Sequence, residues 1–325
     1  MSAVDQILVG DIGGTHSRFA VVDVSQPIRR IEHRRDLGGT VTSFNEALRT
    51  YLDRAGLPAL PGAIALSVAG PVTAGAVVLT NRAWQISEQD LRAFGFRDVL
   101  LINDFAALAF AVSSLEPAAV RTIGPSLEGL PGEPISIVGA GTGFGAACLA
   151  RFHNRTVPVA TEGGHAGFAP GNDREMAVLK VLAGRFGHVS IERVLSGPGI
   201  GNLYGALMQI AGRRALPLDA AEIVARRAAD ENCRDAIDLF CAIYGAVAGD
   251  FALMHGARGG VFLAGGIAQK IEPVLAASAF RERFENKGRL SHYVKGIPTK
   301  LILSEDTAYI GIANASLAFR DAAEG

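Results

Sequence analysis

Short apolar blocks alternate with helix-spaced patterns along almost the whole 325-residue chain, which predicts an α/β fold. Residues 5–10 and 17–24 read as a hairpin whose bend, GDIGGT at 10–15, interrupts two otherwise buried strands. Helix spacing follows over 43–55, strand character over AIALSVAG (63–70), and a helix over SEQDLRAFG (87–95) with Ser87 as its N-cap. VLLIN (99–103) predicts a fully buried strand that runs into a helix over FAALAFAV. The order strand, glycine bend, strand then returns in ISIVGAGTGFGAACLAR (135–151), a weak echo of 7–23 of the kind a duplicated domain leaves. Between them, EPAAVRTIGPSLEGLPGEP (116–134) is rich in proline and glycine and is expected to cross between the halves. A helical region broken by turns covers 173–256, and VFLAGGIA (261–268) makes a third strand–glycine turn–helix junction. The tail, 308–322, predicts a helix that returns to pack on the first domain.

Composition narrows the partners. The chain is 49% hydrophobic and long enough for more than one core, since single cores stop growing at roughly 250–300 residues. With 31 Lys+Arg against 32 Asp+Glu and no dense basic run, nothing points to nucleic acid or a membrane surface. Cys148, Cys233 and Cys241 have neither CxxC spacing nor an even framework, which fits a reducing cytosol. Asp5 and Gln6 interrupt the start before a signal-peptide core can form. Residues 99–112 are too short and too polar at Asn103 and Asp104 to span a bilayer, so a soluble cytoplasmic protein is expected.

Chemistry gathers at the glycine bends. Gly10, Asp11, Ile12, Gly13, Gly14 and Thr15 form the first; Gly139, Gly141, Thr142 and Gly143 belong to the second. Each reads either as a hairpin turn needing positive φ or as a cradle of backbone N–H groups for phosphate. Neither is a Walker A loop or a GxGxxG fingerprint. Two such bends in equivalent places of echoing halves suit a clamp that holds a nucleoside triphosphate from both sides. Asp11 would then meet the phosphates through a divalent cation.

Asn103 and Asp104 end a buried strand and open a helix, where open α/β sheets collect ligands and where both residue types also serve as caps. An Asp there stays ionised and suits a general base for a bound alcohol. In TEGGHAGFAP (161–170), Glu162 and His165 flank two glycines without HExxH or cysteine partners. They read as bidentate contacts to vicinal hydroxyls or as a solvated loop. Glu192, in IERVLSGPG, reads by itself as an exposed helix charge.

Taken in order, GDIGGTHSR, TNRAW (80–84), INDFAA (102–107), GAGTGFG, EGGHAGFAP, HVSIERVLSGPG (188–199) and GGVFLAGGIA resemble the bacterial glucokinase family of the sugar kinase–Hsp70–actin superfamily. That resemblance implies two ribonuclease H-like (actin/hexokinase-like) α/β domains flanking a cleft: a small one, 1–112 plus 304–325, and a large one, 113–303, which carries a homodimer contact. It implies ATP-dependent phosphorylation of D-glucose at O6, the first step of glycolysis, with Mg²⁺ bound through the nucleotide. By motif, residues 10–15 and 139–145 become the phosphate loops, and Gly265 and Gly266 lie against the adenosine. Asn103, Asp104, Glu162, His165 and Glu192 hold the sugar, with Asp104 as catalytic base. The chain departs from the pattern at His16, where many relatives carry Asn. It also lacks the clustered cysteines of the related repressor/ORF/kinase group, so structural zinc is not expected. Alternatives are a kinase for fructose, mannose or an N-acetyl amino sugar, or a non-catalytic sugar sensor. The sensor would carry a helix-turn-helix ahead of the first strand, which begins by about residue 5.

Overall fold

The computed structural model describes residues 6–13, 16–25, 30–37, 41–79, 84–152 and 155–324. Gly14 and Thr15 of the first bend, and residues 80–83 of TNRAW, lie outside the described residues. The chain divides into two compact units, Met1–Glu116 with Ser304–Gly325, and Pro117–Leu303.

In the first unit, strands β1 (Gln6–Ile12), β2 (Ser17–Asp23) and β3 (Arg30–Asp36) form an antiparallel meander. Helix α1 (Phe44–Ala55) then leads to β4 (Ala63–Val68), which pairs parallel with β1. A small ribbon, β5 (Ala76–Val78) with β6 (Gln85–Ser87), precedes α2 (Glu88–Phe94). β7 (Asp98–Asn103) adds parallel to β4, giving the order β3-β2-β1-β4-β7, and runs directly into α3 (Asp104–Ala111).

Alternation along β1 sets the two faces of this sheet. Leu8 and Ile12 join Phe19, Phe44, Leu48 and Tyr51 beneath α1, where the Phe19 and Tyr51 rings stack at 5.2 Å. Ile7 and Val9 join Ala106, Ala107, Tyr309 and Ile312 on the opposite face. Those last two belong to the carboxyl-terminal helix, Thr307–Glu324, which packs so tightly on α3 that a Cβ at Gly311 would fall on the Ala107 carbonyl oxygen. Ser43 and Ser87 cap α1 and α2, each accepting the amide of the third residue on.

The second unit repeats the plan. β8 (Val120–Thr122) stands at one edge; β9 (Ile135–Ala140), β10 (Phe144–Phe152) and β11 (Arg155–Thr161) form an antiparallel meander. Four helices follow: α4 (Asp173–Phe186), α5 (Gly197–Ile210), α6 (Ala220–Arg226) and α7 (Glu231–Met254). β12 (Gly260–Ala264) pairs parallel with β9, and α8 (Gly266–Lys270) opens a run of short helices, α9 (Glu272–Ala277), α10 (Phe280–Glu285) and α11 (Ser291–Lys295). β13 (Thr299–Ile302) completes the order β11-β10-β9-β12-β13-β8, and the carboxyl-terminal helix is thus α12. In both sheets a three-strand meander is continued by two parallel strands, as the glycine-bend echo predicts.

Helix α7 is long and apolar enough to cross a membrane, yet 67% of its most apolar window is buried. Its Tyr244 packs edge-on against Phe144, Phe240 and Phe280, and its hydroxyl donates to the Val138 carbonyl, so it is the core helix of this unit. Three regions differ from expectation. The proline- and glycine-rich stretch 116–134 contains β8, whose short sequence is held by its ladder with β13 and by the Arg121–Glu272 ion pair. The edge strands β3 and β11 carry charged or proline-interrupted sequences with no strand periodicity of their own. The helices over 272–295 are too short to show a period.

Candidate active site

In the first unit the candidate residues share one edge of the sheet. β1, β4 and β7 are parallel, and their register sets Asp11 opposite Ser67 and Val68 opposite Asn103, so Asp11, Asn103 and Asp104 all stand at the carboxyl ends of strands. Asp11 lies on the face that α3 and α12 cover. The Ser67 hydroxyl donates to its Oδ1 at 2.8 Å, and Arg18, directly opposite on β2, approaches its Oδ2 at 3.9 Å. Burial pushes the Asp11 carboxyl above its ordinary value, and the Ser67 hydrogen bond and Arg18 charge offset this only in part. The same burial, with the Asp11 charge nearby, pushes the Tyr309 hydroxyl up to about 12. Around the bend, Gly13 donates to the His16 carbonyl at 3.0 Å, and His16 Nδ1 lies 2.9 Å from Asp36 Oδ2, which also faces Arg18 at 3.6 Å. Gly10 has a packing reason: a Cβ there would meet Leu66 at 2.6 Å.

Asn103 is the N-cap of α3. Its Oδ1 accepts the amides of Phe105 and Ala106, which leaves its Nδ2, 3.4 Å from the Gly70 carbonyl, as the group able to donate to a ligand. Asp104 is the first helical residue, with Oδ1 accepting the Phe105 amide at 2.9 Å. Both cap and ligand readings are therefore compatible at this strand end.

The second unit gathers its candidates in the same way. Ala140 pairs with Phe144, and Thr161 pairs with Ala146, so the bend 141–143 and the loop after β11 emerge at one edge of the sheet. Ala264 opposes Gly139 at that edge, which brings Gly265 and Gly266 beside the bend. Gly265 has φ 90°, and a Cβ on it would strike the Ala140 carbonyl, so only glycine closes β12 onto β9 here. Gly266 opens α8 with nothing within 4 Å of its Cβ direction, as does Gly141 in the bend. The bend is held by main-chain bonds: Gly141 donates to Gly143 at 2.8 Å, and Gly197, in the first turn of α5, donates to Gly141 at 2.9 Å.

Glu162 and His165 bracket a 3₁₀ turn, both exposed, with His165 Nε2 3.9 Å from Glu162 Oε2. Glu192 does not project as an exposed helix charge. It sits half-buried in the 3₁₀ turn Ile191–Arg193, and its Oε2 accepts the Phe144 amide at 2.9 Å, at the far end of the glycine bend. Ser67, Arg18 and Phe144 were not singled out by sequence reasoning. Arg18 and Phe144 were visible inside GGTHSR and GAGTGFG, but Ser67 lies 56 residues from its partner and left no local signal.

Among the described residues no three or more His, Cys, Asp or Glu side chains gather as a metal site. A cavity of about 360 Å³ in the second unit is lined by Arg174, Leu207, Ile210, Arg213, Asn232 and Asp235, among others. Arg174 bonds to Asp235 and Arg213 to Asn232 across its lining, and it includes none of the candidate residues.

A sequence model described as Glucokinase matches residues 8–318. The chain is similar to a glucokinase of Caulobacter sp. (strain K31), 47% identical over 97% of both chains. It is also similar to the crystal structure of a glucokinase from an Antarctic psychrotroph, with a TM-score of 0.87 at 38% identity over 96% of this chain and 99% of the other. A ROK-family glucokinase from Streptomyces griseus, solved with glucose and AMPPNP, shares the fold at a TM-score of 0.62 and 17% identity, covering 97% and 99% of the two chains.

Proposed function

The chain belongs to the glucokinase family, and on that premise we propose how its own residues carry out the reaction. It is an enzyme with glucokinase activity, which phosphorylates glucose. In our reading ATP is the donor, O6 the acceptor, and the two units are the small and large domains that act on one pair of substrates. The observation that carries this is the repeated hairpin: each unit has a glycine bend at the carboxyl edge of its parallel strands, and Asp104 stands at the same edge as the first. The Streptomyces protein of the same fold binds both glucose and an ATP analogue, which supports the pairing of substrates.

Asn103 Nδ2, Asp104, Glu162, His165 and Glu192 bind the sugar hydroxyls. Asp104 holds the O6 hydroxyl and takes its proton as O6 bonds to the γ-phosphorus, while the bond from that phosphorus to the bridging oxygen breaks and ADP leaves. Backbone N–H groups of both bends receive the phosphate oxygens, and Gly265 and Gly266 let the adenosine approach the backbone. Asp11 suits a divalent cation: it is a half-buried carboxylate with one hydroxyl partner and only a distant guanidinium, the donor set a cation would complete together with phosphate oxygens. Mg²⁺ held there through the nucleotide would neutralise charge on the phosphates. Because water resembles the sugar hydroxyl chemically, sugar binding energy must drive the assembly of the site to limit ATP hydrolysis. We further propose a cytoplasmic homodimer acting at the first step of glycolysis. A coupled ADP-release assay with ATP and Mg²⁺ tests the reading across glucose, fructose, mannose and N-acetyl amino sugars, with a no-sugar control. Glucose should give the highest kcat/KM, and turnover with another sugar alone would reassign the substrate.

A further inference from the structure

The sugar loop and the second glycine bend converge on one residue, Phe144. Its amide is held by Glu192 Oε2. Its carbonyl faces Gly164, between Glu162 and His165, so closely that a Cβ on Gly164 would fall on the oxygen. Its ring stacks on Phe251 at 6.2 Å, and Phe251 in turn lies against Gly163, where a Cβ would come within 2.6 Å of the ring. A Cβ on Gly143 would likewise strike Glu192 Oε2.

The turn that carries Glu192 is tied at both ends. Ile191 donates to the Ala166 carbonyl after the sugar loop at 2.9 Å, and the His188 ring meets the His165 carbonyl at 3.0 Å. On the other side the Ser196 hydroxyl donates to the Glu192 carbonyl, Ser196 caps α5, and the next residue, Gly197, donates to Gly141 of the bend.

We propose that Glu192 is a positioning residue for the second phosphate bend as well as a sugar ligand, so that filling the sugar subsite orders residues 141–144 and tightens nucleotide binding. The inference rests on the assignment of both subsites made above. A carboxylate has two oxygens. Oε2 is committed to the Phe144 amide, and Oε1 is the one a sugar hydroxyl would bond. A sugar bound there fixes the side-chain rotamer and with it the acceptor that holds the bend. The contacts through Gly143, Gly163 and Gly164 leave no slack, and close-packed contacts of this kind transmit displacement rather than absorb it. By linkage, the nucleotide must tighten sugar binding by the same factor.

The test titrates AMPPNP with Mg²⁺ into the full-length protein, with and without saturating glucose, for the wild type, Glu192→Gln and Glu192→Ala. In parallel, amide hydrogen exchange across 139–146 is followed in the wild type with and without glucose and no nucleotide. We expect glucose to tighten AMPPNP at least about fivefold, within the usual range of couplings, and to slow exchange at 141–144 by a similar factor. Without sugar, Glu192→Ala should lose at least about fivefold in AMPPNP affinity. Glu192→Gln keeps an oxygen for the Phe144 amide and should stay within about twofold. AMPPNP affinity unchanged in Glu192→Ala, or exchange at 141–144 unchanged by glucose, would overturn the proposal. The exchange arm needs no variant and stands even where Glu192→Ala does not fold. Glucose phosphorylation by the wild type is assayed alongside; its failure would remove the functional reading, whereas activity with no coupling removes only this inference.

Discussion

The two glycine bends occupy the same place in two copies of one sheet plan, yet they are supported in opposite ways. The first is built around charge. Asp11 is half-buried beside Ser67, Arg18 faces it across the hairpin, and Asp36 and His16 extend the network outward. In the second hairpin the residue after the first glycine is Ala140, fully buried, and the bend is held by main-chain hydrogen bonds and close glycine contacts. The charge near it, Glu192, arrives from a separate turn and spends one oxygen on the bend itself. The two units keep one topology and differ in support: a carboxylate network surrounds the first bend, and main-chain hydrogen bonds hold the second.

Substitutions sharpen this contrast, and the largest effect should fall at Asp104. Asp104→Asn should lower kcat by about 10³-fold, as expected for loss of a positioned base, with glucose KM within about threefold; steady-state kinetics with varied glucose reads both. A loss under tenfold would remove Asp104 from the base role.

Asp11→Asn separates function from stability. Turnover should fall about 10²-fold as charge stabilisation at the phosphates is lost, while the folded protein becomes more stable at pH 7. The sign follows from burial. A carboxyl whose folded value is raised above its unfolded one contributes stability below the unfolded value and loses it as pH rises through the folded one. Ionised Asp11 therefore costs stability at neutral pH, and removing it should raise Tm at pH 7. That gain should vanish below about pH 3.9, the ordinary Asp value. Thermal melts at pH 3 and pH 7 make the comparison.

On the sugar side, Glu162→Ala should raise glucose KM about tenfold, the loss of one strong hydrogen bond, and leave kcat at saturation within about threefold. An equal fall in kcat would mean that Glu162 also shapes the reacting state. The smallest effect belongs to His16→Asn. Its contact with Asp36 is exposed on both sides, and such pairs contribute about 0–1 kcal/mol. Nucleotide KM should change less than about threefold and Tm by about a degree.

Much of this arrangement was legible in the sequence because its signals are local. The hairpins 6–23 and 135–152, the strand 98–103 and the Ser-capped helices are written in residues a few positions apart, and so are the bends and the pairs Asn103–Asp104 and Glu162–His165. What was not legible depends on distant partners. β3 and β8 are edge strands whose polar sequences gain strand form only from their neighbours. Asn103 reads equally as cap or ligand until the cap bonds are seen to occupy its oxygen. Glu192, an ordinary charge in IERVLSGPG, acquires its role only when the fold brings it to Phe144, 48 residues earlier.

The central claim is that both bends grip one ATP while Asp104 takes the proton from O6 of glucose. A crystal structure of the protein with glucose, AMPPNP and Mg²⁺ tests it most directly. The account predicts phosphate oxygens on the amides of both bends and an Asp104 carboxylate oxygen within hydrogen-bonding distance of O6. Phosphates bound to only one bend, or O6 bonded to another group with Asp104 turned away, would contradict it.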